Sequence, residues 1–444
     1  MCGFRNNWRL ETLSSVSNLQ FPISLFNMTT NFGLGGLTPQ TIYEPREAQE
    51  LAQLLAQCNA ESRAVVPWGG GTLQYLGNAP ARYDAVISTR NLNQVVEYAF
   101  DDLTITVGAG MTLANINRVL GEHGQFLPLD VPHPSRATIG GVLAAGANGP
   151  LRLRYGPARD YMLGNKFATV DGHIIKAGSR VVKNVAGYEL HKVQVGAFGT
   201  LAILTEATFK VFPRPPAEIS MWAAFAELND ACAAVGQIWN LSTPPLALEW
   251  LDAATMNLIE PNAHGAYFVM ARFGGAQATM AAARDVFTHA ANEQNARAVE
   301  TFEDTSKAWR AIADLPATLR ETFSDALCLR VSVPPKALQN ALRELFALAQ
   351  AQKLAPPRVF AHAALATLYV SVDGDAAALE TFATQLRATV HKLHGYMLIE
   401  RAPSALKNLN AWDDAETTLK LMQSIKRKFD PNHILNPGRF VGGI

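Results

Sequence analysis

An apolar run at residues 63–68 ends in three consecutive glycines, so the segment reads Val66-Pro67-Trp68-Gly69-Gly70-Gly71-Thr72. A strand that empties into glycines lets successive backbone N–H groups point into one concavity. No Cβ obstructs an approaching phosphate oxygen there. No Lys-Ser/Thr pair follows at Walker spacing, so the loop is not a P-loop. Gly108-Ala109-Gly110 lacks a third glycine and has Leu113 in its place, which argues against a Rossmann fingerprint and for a tight strand–helix turn. Taken alone, the first loop fits an ordinary glycine turn as well as a phosphate nest.

Downstream segments add to it. Leu127-Pro128-Leu129-Asp130-Val131-Pro132-His133-Pro134-Ser135-Arg136-Ala137-Thr138-Ile139-Gly140-Gly141 is followed by Ala144-Ala145-Gly146-Ala147-Asn148-Gly149-Pro150. Prolines fix the approach of the chain, and small residues let backbone lie against a flat ligand or a diphosphate. Arg152, Arg154 and Arg159 surround Tyr155-Gly156, either as ligand cations or as a solvated loop. Val182-Lys183-Asn184-Val185-Ala186-Gly187-Tyr188-Glu189-Leu190 sets a cation and an amide beside a glycine. Val195-Gly196-Ala197-Phe198-Gly199-Thr200-Leu201-Ala202-Ile203 then opens a strand on small residues.

A chain of 444 residues exceeds what one core usually organises, so at least two domains are expected. Lys+Arg and Asp+Glu balance at 38 each, which disfavours a nucleic-acid partner. Cys2, Cys58, Cys232 and Cys328 are dispersed, so neither a disulfide framework nor an iron–sulfur cluster is expected. No apolar run reaches the roughly 18 residues of a membrane-spanning helix. A cytoplasmic protein with no direct membrane span is the expectation. Residues 1–40 read as a flexible N-terminal extension, with Met28 a candidate start.

Periodicity predicts helices at 44–60, 112–121, 337–350 and 419–429, with Pro45 in the first turn of the first and Thr112 capping the second. Strands are predicted at 63–68, 85–88, 103–107, 201–211, 328–333 and 368–372. Pro213-Arg214-Pro215-Pro216 marks a domain boundary. The expected division is 1–40, 41–215, 216–418 and 419–444, an α+β architecture throughout.

The glycine loop, the 127–164 block, the 182–201 segments and the terminal Phe429-Asp430-Pro431-Asn432-His433-Ile434-Leu435-Asn436-Pro437-Gly438-Arg439 together resemble the vanillyl-alcohol oxidase/p-cresol methylhydroxylase superfamily. Within it they are similar to the FAD-binding subunit of bacterial glycolate oxidase. The resemblance covers residues 41–215 and the chain's end well, and the middle only in outline. It implies a two-part PCMH-type FAD-binding domain, an α+β cap domain and a C-terminal segment returning to the flavin side. Pro67, Trp68, Gly69, Gly70, Gly71 and Thr72 would then hold the pyrophosphate. Pro132, His133, Ser135, Thr138, Gly140, Gly141, Asn148 and Gly149 would wall the pyrophosphate and flavin. Lys183, Asn184 and Gly187 would approach the cofactor, Gly199 and Ile203 would lie by the adenosine half, and Asn436 would close the flavin side. The glycine loop carries no His, so the FAD is expected to be non-covalent.

The resemblance further implies oxidation of a small 2-hydroxy acid, glycolate to glyoxylate. A second FAD subunit and an iron–sulfur subunit would be partners, and any contact with the inner membrane would come through them. Relatives that oxidise D-lactate and glycolate carry a His-Ala-Gly-Asp-Gly-Asn-Leu-His run for metal and substrate. Here it reads His362-Ala363-Ala364-Leu365-Ala366-Thr367-Leu368-Tyr369, with the centre gone and Tyr369 in place of the second His. One imidazole is a poor metal site, so no metal is expected, and His362 reads as a buried or edge-strand residue. His391 and His394 read as an exposed helix end. Three functions stay open: a subunit of a glycolate oxidase complex, a stand-alone 2-hydroxy-acid or polyol oxidase/dehydrogenase, and a non-catalytic flavin scaffold. The catalytic base is unassigned. Arg330, Tyr369 and His362 are the candidate pocket residues, with an Arg for the substrate carboxylate.

Overall fold

The computed structural model describes residues 32–179, 188–302, 304–406, 409–413 and 416–444. The first part of the chain builds two sheets. A parallel three-stranded sheet places Ala85–Ser88 between Thr41–Tyr43 and Val65–Trp68. Helix Ala48–Ala60 covers it, burying Leu51, Leu55 and Cys58 against Val65, Ala85 and Ile87. The helix starts later than periodicity predicts, because Glu47 is extended (φ −130°, ψ 151°) and serves as N-cap. Pro45 therefore lies before the first turn.

An antiparallel five-stranded sheet follows in the order Val95–Ala99, Thr104–Gly108, Ile203–Lys210, Met162–Ala168, Ile174–Gly178. Two strands begin one or two residues after their expected starts. Leu103 has φ 54°, and Phe198 and Gly199 have φ 58° and 65°, so the backbone is still turning there. Helix Leu113–Gly121 is capped as expected, the Thr112 side chain accepting from the Asn115 N–H. Helix Ile139–Ala145 lies next to the Ile203–Lys210 strand and buries Ile139, Val142 and Leu143 in the same core.

After the proline cluster the chain forms an eight-stranded antiparallel sheet. Its order is Ala298–Thr301, Ala217–Phe225, Tyr267–Gly275, Ala247–Asp252, Arg358–His362, Thr367–Val372, Leu327–Ser332, Tyr396–Arg401. Helices Leu228–Trp239, Met280–Glu293, Leu338–Ala351 and Ala376–Lys392 cover one face. Helix Thr305–Thr322 packs Trp309, Ile312, Leu315 and Leu319 on the other, against Phe360 and Tyr369. Both faces of the central strands are buried, so Ala217–Phe225 and Ala247–Asp252 lack polar–apolar alternation.

The chain's end returns to the first domain. After helix Glu416–Phe429, Val65 N–H donates to the Ile434 carbonyl and Asn436 N–H donates to the Val65 carbonyl. Ile434 and Leu435 are fully buried in the core under helix Ala48–Ala60.

Candidate functional site: a cofactor cleft and an adjoining cavity

The glycine loop opens a cleft lined by residues 67–74, by Thr138, Gly140 and Gly141 from the second small-residue block, by Gly199 and Ile203, and by Asn436 and Arg439 from the tail. The loop lies against the 136–138 backbone. A methyl group at Gly70 would overlap the Arg136 carbonyl, and one at Gly69 would overlap Thr138 Oγ1. Only glycine permits this approach. Among the described residues no acceptor takes the backbone N–H groups of Gly71, Thr72 or Leu73. Two buried side-chain donors lining the cleft, Trp68 Nε1 and Gln194 Nε2, are likewise unpartnered. A set of unsatisfied donors around a cleft is what a polyanion needs, since buried polar groups normally find partners. The cleft is braced from the tail: Asn436 Nδ2 donates to the Phe198 carbonyl at 2.6 Å, and Arg439 donates to the carbonyls of Gln74 and Leu76 at 2.8 Å each. Burial lowers the Arg439 guanidinium to about 10.

A second cavity shares Ala145 and Phe198 with the cleft and reaches the eight-stranded sheet. His362, Tyr369 and Arg330 all line it, as do Asn148 and Arg152 from the first domain. Strand register puts Glu249 directly opposite His362. The His362 Nδ1 lies 2.9 Å from Glu249 Oε2 and 3.0 Å from Oε1, with both residues buried. Burial alone would depress His362, but the charge and hydrogen bond of Glu249, together with the Asp130 charge, hold the imidazole above its ordinary value. Burial in turn raises Glu249, so the pair keeps a proton between them. With Nδ1 engaged, Nε2 is the ring nitrogen left for the cavity. Across the sheet, Arg330 faces Tyr369 in register, and its Nε lies 3.3 Å from the Glu400 carboxylate. Burial opposes the Arg330 charge, while Glu400 and the Tyr369 hydroxyl sustain it. Burial pushes the Tyr369 phenol up to about 12, so it stays a neutral donor.

Residues 39–178 match the family described as "FAD binding domain", and residues 214–440 match "FAD linked oxidases, C-terminal domain". The chain belongs to the FAD-linked oxidases. Its cofactor is FAD, and the cleft's glycine cradle and unpaired donors fit that group's pyrophosphate. This oxidase is 27% identical to glycolate oxidase subunit GlcD of Bacillus subtilis, covering 90% of this chain and 88% of that one. It is 28% identical to a D-lactate dehydrogenase of Archaeoglobus fulgidus, over 90% of this chain and 91% of the relative. Glycolate oxidase subunit GlcE of Escherichia coli is 33% identical over 45% of this chain and 56% of its own. A solved alkyldihydroxyacetonephosphate synthase shares the fold, with TM-score 0.67 and 18% identity over 89% of this chain and 76% of that one.

Of the cofactor residues expected in this oxidase, Pro67, Trp68, Gly69, Gly70, Gly71, Thr72, Thr138, Gly140, Gly141, Gly199, Ile203 and Asn436 share the cleft. Asn148 lines the adjoining cavity instead. Pro132, His133, Ser135 and Gly149 line neither. The Pro132-His133-Pro134 turn faces the cap helix, where His133 N–H donates to Asp314 and its ring meets Glu321 at 3.0 Å. Ser135 is exposed beyond that turn, and Gly149 is small because the Asp130 carbonyl presses on it. Lys183, Asn184 and Gly187 lie outside the described residues. Sequence reasoning missed Glu249, Gln194 and the site role of Arg439. A carboxylate in the middle of the apolar run Ala-Leu-Glu-Trp-Leu, ahead of the helix-capping Asp252, was the available signal for Glu249. His362 sits on an interior strand rather than an edge. His391 is exposed in the last turn of its helix, where it pairs with Asp413 at 2.7 Å, and His394 just beyond the helix is exposed too. Among the described residues no group of three or more His, Cys, Asp or Glu side chains could hold a metal ion. No described helix is long and apolar enough to cross a membrane.

Proposed function

We propose that this FAD-linked oxidase converts a small 2-hydroxy acid, glycolate, to its 2-oxo acid, glyoxylate, as the FAD-binding subunit of a glycolate oxidase complex whose iron–sulfur subunit receives the electrons. The observation that carries the reading is the buried His362–Glu249 pair in a cavity sharing its wall with the cofactor cleft. When bound, FAD supplies the two-electron acceptor for the hydride on the substrate's α-carbon. His362 Nε2 takes the hydroxyl proton, and Glu249 fixes the tautomer by accepting Nδ1–H. The neutral Tyr369 hydroxyl donates to a substrate oxygen. The FAD is non-covalent, because the glycine loop offers no His for attachment. Similarity to the two glycolate oxidase subunits supports the assembly. The chain's four dispersed cysteines are consistent with a partner holding the cluster.

The test is the visible spectrum of the purified chain before and after anaerobic glycolate. A flavin spectrum whose chromophore is released by acid supports dissociable FAD, and bleaching by glycolate supports oxidation in this chain. A colourless protein that cannot be reconstituted with FAD refutes the cofactor assignment. Flavin that stays oxidised both alone and in the co-purified complex refutes catalysis here. A second reading, a stand-alone D-lactate-type dehydrogenase, is favoured by the full-length similarity to D-lactate dehydrogenase and by a cavity complete within one chain. Steady turnover of the isolated chain with a dye acceptor, on D-lactate in preference to glycolate, supports it.

A further inference from the structure

The charged groups of the substrate cavity are unequally matched. Arg330 is held by Glu400 at 3.3 Å. Asp413 is bound by His391 at 2.7 Å, approached by Arg387 at 3.6 Å, and accepts from the Met397 N–H. His362 is taken by Glu249. Arg152 differs: among the described residues its guanidinium has neither a carboxylate nor a hydrogen-bond acceptor. It is exposed at the cavity's first-domain wall, and its charge is near enough to oppose protonation of His362.

The backbone that carries Arg152 is fixed. Its N–H donates to the Gly149 carbonyl, its carbonyl accepts from Gly156, and the preceding Leu151 N–H donates to the buried Asp130 carboxylate at 2.9 Å. The turn uses Asp130 Oδ2, while Asp130 Oδ1 is buried without a partner, and among the described residues Asp130 has no ion pair with Arg152. An unmatched cation on a rigid turn, facing a cavity whose other charges are neutralised, is a receptor for an anion.

We propose that Arg152 binds the substrate carboxylate and thereby selects 2-hydroxy acids over neutral alcohols, while Arg330 serves to orient Tyr369. This rests on the 2-hydroxy-acid reading above. The carboxylate lies at Arg152 and the α-hydroxyl at His362, so the two groups that define a 2-hydroxy acid are read by neighbouring side chains. The planar guanidinium fork grips both carboxylate oxygens, which a lysine ammonium cannot do. Carboxylate binding also neutralises the charge that opposes His362 taking a proton, at the stage when His362 must take one.

The experiment uses the FAD-loaded chain and oxalate, a planar dicarboxylate with no hydride to give, followed through perturbation of the flavin absorption band. Arg152→Gln and Arg152→Lys are compared with wild type at equal flavin content. Loss of one charge-assisted, two-point contact should weaken oxalate binding and raise the glycolate KM by about 10- to 100-fold in Arg152→Gln, with kcat reduced far less. Arg152→Lys should fall between. Wild-type oxalate affinity in Arg152→Gln overturns the assignment while leaving the 2-hydroxy-acid reading intact, provided glycolate still reduces the flavin. No oxalate binding by wild type, together with no reduction by glycolate or D-lactate, overturns both.

Discussion

Replacing Lys426 by Met tests how the chain's end is tied to the cofactor cleft. Lys426 and Asp430 are 1% and 0% exposed, and their side chains meet at 2.6 Å. All three ammonium protons are used, the other two donating to the carbonyls of Thr200 and Leu435 at 2.9 Å each. Asp430 is also saturated, accepting from Ile434 and Leu435 N–H. The clasp therefore joins the Phe198–Thr200 turn to the Leu435–Asn436 segment, and both border the glycine-loop cleft. Removing one partner of a buried ion pair costs about 3–5 kcal/mol, because the remaining charge is left uncompensated. At about 2–4 °C per kcal/mol for a domain of 150–250 residues, Tm should fall by about 6–20 °C. FAD affinity should weaken as well, since two cleft-lining segments lose their common tie. Thermal unfolding with FAD-release fluorescence measures both on one sample. The double replacement Lys426→Met/Asp430→Asn removes the orphaned carboxylate and should recover part of the loss. A single variant with wild-type Tm and wild-type FAD affinity would refute the reasoning.

Three further outcomes are expected. Gly70→Ala should abolish FAD retention, because the new methyl overlaps the Arg136 carbonyl, and flavin-to-protein absorbance checks it. Trp68→Phe removes a buried, unpartnered donor in the cleft and should weaken FAD about 10- to 100-fold, a hydrogen bond to a charged group being worth about 1.5–3 kcal/mol. Unchanged affinity would mean that the indole N–H does not meet the cofactor. The pH profile of kcat/KM should rise through a value above 6.5, since Glu249 holds the His362 proton and the base form must be free. Glu249→Gln removes the main opposition to burial, leaving only the Asp130 charge, and should move that inflection to lower pH. The stability contribution of the raised imidazole is full below 6.5 and is lost as pH rises through the raised folded-state value.

Local constraints were written plainly in the chain. Three glycines after an apolar run dictate a backbone open to close approach, whatever the rest of the fold does. The cap at Thr112, the proline boundary before Ala217 and the helix at Leu338–Ala351 are local in the same sense, because a few neighbouring residues decide them. Strands buried on both faces were harder to read, because they lose the alternation that reveals a half-exposed strand. What the sequence by itself determined was therefore a glycine backbone open to close approach and the local helices, caps and turns. The tertiary structure alone decided which side chains meet. Glu249 reaches His362 across 113 residues through strand register, Lys426 reaches Thr200 across 226, and Arg152 enters the cap sheet's cavity from the other domain. None of those pairings has a local signal, because register and domain apposition are set by the burial of whole sheet faces rather than by the residues that the packing brings together.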